Sequence, residues 1–231
     1  MRRYSNSAVL GALFVAGLLV AACGGSTTPS TSSTTTLPNN STSTTGTSVQ
    51  PDTAVWPFAA SSPGYADPVS AARSFAVTYL GFVDPLVGAF QQGDSRSGEV
   101  AVRASSSGPV TTVLVRILTP HNTWWVLGAS TPNLQLQTPK TLEIISSPVT
   151  ISGKSTAFEA TVNVQIRQDG ELTPLKEDIV MGGSNDVLGP FSSTVKYSTP
   201  AATAGAIVLK TVSAKDGNTS EASVIRVHFS S

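Results

Sequence analysis

Between Ala160 and Arg167 the chain alternates without a break. Ala160, Val162, Val164 and Ile166 are apolar, and Thr161, Asn163, Gln165 and Arg167 are polar. A period of two marks an extended strand with one covered face. Strand-like runs recur through the C-terminal part: Leu142-Glu143-Ile144-Ile145, Ile179-Val180-Met181, Phe191 to Tyr197, Ala206 to Val212 and Ala222 to Phe229. Asp169-Gly170, Gly182-Gly183 and Asp216-Gly217-Asn218 punctuate them with turn chemistry. Such a series of about seven short strands predicts a β-sandwich of immunoglobulin type over residues 140–231.

The segment before it, 51–139, mixes two periods. Asp67-Pro68 reads as an N-cap followed by proline at the first helical position. Ala72, Phe75, Ala76, Tyr79, Phe82 and Val83 then recur at spacings of three and four, one apolar helix face reaching about Gly81. A second apolar piece, Leu86-Val87-Ala89-Phe90, precedes the turn Gly93-Asp94-Ser95. Strands follow around Val100 and Val102, around Val113, Val115 and Ile117, and from Thr123 to about Ala129, with a fourth possible at Leu134 and Leu136. The predicted fold class is therefore mainly β: a small N-terminal α+β domain, helix on antiparallel sheet, followed by the sandwich. Trp56, Phe58 and Tyr65 lie in a Pro/Gly-rich lead-in expected to pack back onto that first domain.

The first 50 residues have another character. Met1-Arg2-Arg3 is followed by 15 apolar residues, Ala8 to Ala22, and by Cys23, the sole cysteine. That run falls short of the ~20 residues a membrane-crossing helix needs. Its basic start and small-residue exit are those of a signal peptide over 1–22. From Ser26 to Ser48, 17 of 23 residues are Ser or Thr and none is aromatic. Such a stretch buries too little apolar surface to offset its conformational entropy, so 23–50 is expected to be a disordered tether.

Val20-Ala21-Ala22-Cys23 resembles the lipobox of bacterial lipoproteins. The resemblance implies that the Cys23 thiol is lipidated and becomes the new N-terminus, anchoring the chain at the extracytoplasmic face of the cell membrane. Several acyl chains together hold durably where one does not. With Cys23 modified no thiol remains for a disulfide. Further along, Ser147-Pro148, Ile151-Ser152-Gly153, Phe158-Glu159-Ala160, Gly189-Pro190-Phe191 and Ser213 with Asp216-Gly217 resemble the immunoglobulin-like domain of bacterial spore-germination proteins, over roughly 142–229. That likeness implies an extracytoplasmic interaction domain and brings no catalytic residues. Gly153 is then expected to permit a sharp bend, Phe158 and Phe191 to anchor the core, and Glu159 to lie opposite Phe158.

Charge narrows the function. Only 12% of residues are charged, and 14 Lys and Arg balance 14 Asp and Glu. No basic stripe suits nucleic acid or anionic lipid. His121, in a turn, and His228 are the only histidines. They do not supply the base a serine nucleophile needs, nor three or four converging metal ligands. Gly93-Asp94-Ser95 reads as a turn, and Gly182-Gly183-Ser184 lacks the lysine of a phosphate-cradling loop. No cofactor, metal site or catalytic residue is expected.

The expected function is a non-enzymatic, membrane-anchored binding or scaffolding module of the cell envelope, with a protein, glycan or peptidoglycan partner. A hydrolase acting on envelope polymers and a regulator of a germination-like process are the alternatives. Candidate binding residues are Trp125, Glu159 and Trp56. Trp124 and Trp125 are adjacent on a strand and so face opposite ways. One of them is expected under the helix, and the other is either an interface residue or a stacking platform for a sugar ring or peptide.

Overall fold

Asp67 opens the helix as its residue type dictates. Its backbone is extended (φ −135°, ψ 152°) and its carboxylate accepts the Ser70 N–H at 2.9 Å. Bonds from Ser70 hold the carboxyl below its ordinary pKa. The computed structural model describes residues 50–230, so Cys23, the leader and most of the tether lie outside the described residues. Helix α1 (Pro68–Ser74) runs into a π-helical turn, Phe75–Leu80, and Gly81 ends it in the left-handed region at φ 79°. Ala72, Phe75, Ala76, Tyr79 and Phe82 are buried, as the spacing predicts. Val83 is exposed, because helical periodicity no longer applies beyond Gly81.

Next comes an antiparallel meander of β1 (Leu86–Gln92), β2 (Ser97–Arg103), β3 (Thr111–Leu118) and β4 (Thr123–Ser130). The remaining strands are β5 (Leu134–Thr138), β6 (Ile144–Ile145), β7 (Val149–Ser155), β8 (Thr161–Gln168), β9 (Lys176–Met181), β10 (Gly189–Val195), β11 (Ala204–Val212) and β12 (Thr219–Phe229). The fold is mainly β, with one face of its larger sheet carrying the helix and the other closing a sandwich.

The segments expected as separate domains, 51–139 and 140–231, share that larger sheet, whose order is β1-β2-β3-β4-β12-β11-β8-β9, with β6 beside β12. The described residues all fall within one compact unit. The junction is Ala129 against Val224. Gly128 permits it, since a Cβ there would stand 2.5 Å from the Val224 carbonyl oxygen. The lead-in runs along the rest of that edge of β4, bridging Trp56 to Val126 and Tyr65 to Trp124.

β11 and β12 are covered on both sides. Ala206, Val208, Ala222 and Val224 join the core under the helix. Ile207, Leu209, Val227 and Phe229 join the core of the sandwich. The apolar run of β11 follows from this double burial. The sandwich closes with a second sheet, order β10-β7-β5. β5 thus pairs with β7 and belongs to the sandwich, not to the helix-side meander. The turn at 131–134 carries the chain across, and fully buried Leu134 fills the second core. Gly153 lies inside the central strand of this sheet and makes no edge bend. A Cβ there would meet the Gln135 carbonyl oxygen at 2.1 Å and the Phe191 ring at 2.7 Å, so the residue serves close approach.

Two buried arginines tie the layers together. Arg226, on β12, is 1% exposed; it pairs with Asp169 through both carboxylate oxygens, and its Nε–H donates to the Asp52 carbonyl at 2.9 Å. Arg167, on β8, lies over the Tyr79 ring at 4.7 Å and donates to the Tyr79 carbonyl and to Gln165. Burial pushes the Tyr79 phenol up to about 12, against the opposing pull of Arg167.

Candidate functional site

The aromatic candidates are interior residues. Trp56 stacks edge-on against Phe58 at 5.0 Å and its indole N–H donates to Ser74 Oγ at 3.2 Å. Trp125 is 3% exposed, covered by Ala54 and Ala59 of the lead-in, with its indole N–H on Thr123 Oγ1 at 3.1 Å. Trp124, on the other face, meets Phe90 edge-on at 5.1 Å. The lead-in that was expected to pack is what covers Trp125, so neither Trp56 nor Trp125 offers a ring face to a ligand. His121 is exposed in its turn, and among the described residues no three His, Cys, Asp or Glu side chains gather.

Glu159 and Phe158 are both exposed, Phe158 at 69%. Alternation puts them on opposite faces of a strand, but the segment 158–160 is a 3-10 turn in which Glu159 and Ala160 are left-handed (φ 53° and 59°). Phe158 is therefore displaced from the core, whereas Phe191 takes its expected place there. The free ring stands at the lip of a groove of about 630 Å³ at one end of the sandwich.

The floor of that groove was not legible as a site. Thr211 and Glu221 are cross-strand partners on β11 and β12, on the face that carries Leu209 and Val227 deeper in. Glu221 is 4% exposed. Thr131 Oγ donates to its Oε2 at 2.6 Å, Asn133 Nδ2 to Oε2 at 3.2 Å and to Oε1 at 3.4 Å, and Thr211 Oγ1 to Oε1 at 3.4 Å. Burial pushes its carboxyl above the usual carboxylate range, and these neutral donors only partly oppose that. Ser223 secures the same turn, accepting the Thr131 N–H at 3.1 Å and donating to the Leu134 carbonyl at 2.7 Å. One signal was available. Counting back by twos from Phe229 and Val227 through Ile225 and Ser223 lands on Glu221, an acid on the inward face. Asn185 and Asp186, left-handed at φ 53° and 60°, complete the rim opposite the floor.

Comparison with known proteins assigns part of this architecture. Residues 133–218 match the family of the immunoglobulin-like domain of bacterial spore germination. The match begins at Asn133, earlier than the expected 142, as the pairing of β5 with β7 requires. It ends at Asn218, just before β12. Within this germination-type domain, β5, β7 and β10 form one layer, and β8, β9 and β11 belong to the other. Neither a curated protein nor a solved structure matches the chain.

Proposed function

We propose that the chain is a lipid-anchored envelope protein whose folded part is a non-catalytic binding or scaffolding module. The observation that carries the reading is the germination-type immunoglobulin-like domain at 133–218, on a chain whose N-terminal apolar run stops just before Cys23. Sandwiches of this kind recognise partners through loops at their ends and through sheet edges. The polar groove sits at such an end. The module's partner is a protein, glycan or peptidoglycan component met outside the cytoplasm.

Anchoring is tested by labelling cells with an alkyne fatty acid and weighing the purified chain. The wild type is expected to lack residues 1–22, carry acyl mass on Cys23 and enter the detergent phase. Cys23→Ser is expected to lose all three properties. Unchanged processing, mass and partitioning in that variant would overturn the reading.

A further inference from the structure

A buried carboxylate with no countercharge, set in the floor of an open groove, is an unusual arrangement, since buried acids are ordinarily paired. Glu221 is held by Thr131, Asn133 and Thr211, all neutral, and among the described residues no cation pairs with it. The second acid on the groove wall is Asp186. No Lys, Arg or His side chain lines the groove among the described residues. The site is therefore complementary to positive charge.

The hydrogen bonds discriminate between kinds of cation. Oε2 already accepts from Thr131 at 2.6 Å and from Asn133 at 3.2 Å, so its lone pairs are used. Oε1 has only two long contacts, both 3.4 Å. A guanidinium binds best through two parallel bonds to both oxygens, and one of them is occupied. An ammonium is a compact donor that needs a single oxygen. The exposed Phe158 ring and Val212 flank the way in, an apolar wall suited to a methylene stem.

We infer that the groove bounded by Phe158, Asp186, Thr211 and Glu221 binds a primary ammonium on an aliphatic stem, the chemistry of a lysine-type side chain in a peptide. The inference rests on reading the folded part as a binding module, and is independent of the anchor. Such a group occurs in ordinary protein segments and in wall stem peptides with D-residues.

The test is titration of the full chain, isotope-labelled and purified in detergent, with four peptides: acetyl-Ala-Lys-Ala-amide, the same peptide with D-alanine flanks, its Nε-acetylated form, and acetyl-Ala-Arg-Ala-amide. Saturable amide shifts centred on Thr131, Asn133, Thr211 and Glu221 are expected at millimolar peptide from at least one lysine form, and none from the acetylated form. The tighter of the two lysine forms identifies the source. Glu221→Gln is expected to weaken binding about tenfold or more. Phe158→Ala, an exposed position that keeps the fold intact should Glu221→Gln not fold, is expected to weaken it a few-fold. Absence of saturable shifts, equal binding of the acetylated peptide, tighter binding of an arginine peptide, or shifts centred elsewhere would overturn the inference. Cys23-dependent acyl mass is read separately, so failure here and failure of the anchor are distinguishable.

Discussion

At the scale of single residues, Glu221 is where folding and titration meet. Its carboxyl sits above the ordinary value because burial disfavours the charged form. The folded chain thus holds this proton more tightly than the unfolded chain. Its linked contribution is greatest below the ordinary carboxylate pKa and declines as pH rises through the raised folded value. Urea unfolding midpoints of the wild type are expected to fall over that window, and those of Glu221→Gln to lack that component. Parallel profiles would show that the acid titrates as it does in the unfolded chain. Phe158→Ala is expected to change stability by no more than about 0.5 kcal/mol, since the ring buries little. A residue's neighbours in sequence do not tell which of two phenylalanines is interior. Phe158 is expelled by a left-handed turn at Glu159 and Ala160 that alternation does not anticipate, and Phe191 stays on a regular strand.

Elements meet here through close backbone approaches and buried charge. Gly128→Ala would push a methyl toward the Val224 carbonyl at the junction of β4 and β12, and Gly153→Ala would do the same beneath Gln135. Each is expected to destabilise by about 1–3 kcal/mol, measured by chemical denaturation. Arg226 holds β12, the Asp169 turn and the lead-in through one guanidinium. Arg226→Ala leaves Asp169 without its partner and is expected to lose about 3–5 kcal/mol, while Arg226→Met, which fills the same space, is expected to lose less. Comparable losses in both variants would mean that packing, not the pair, carries the effect. Helix α1 was legible in outline because its cap, its proline and its apolar spacing agree. The partner of β5 was not, because a five-residue strand carries no record of which edge it will join.

For the whole molecule, the shared sheet makes two cores depend on one pair of strands. Ala206, Val208, Ala222 and Val224 belong to the helix-side core although they come from the C-terminal half. A fragment covering 51–139 is therefore expected to remain unfolded by circular dichroism and amide exchange. The full chain is expected to unfold in a single calorimetric transition whose van't Hoff and calorimetric enthalpies agree. Two resolved transitions would show that the halves are energetically separate.

Periodicity, caps and turn residues are local properties, and they sufficed for the mainly β class, the helix start at Asp67, the sandwich and most of the strands, β1 and β7 excepted. Which surfaces face each other is a non-local matter. Alternation says that a strand has two faces but not what covers each. Only the assembled sheet revealed that β11 and β12 are covered on both faces, that Trp125 is covered by its own lead-in, and that Glu221 floors a groove. Each of these depends on contacts between segments far apart along the chain, whose energies no local pattern encodes.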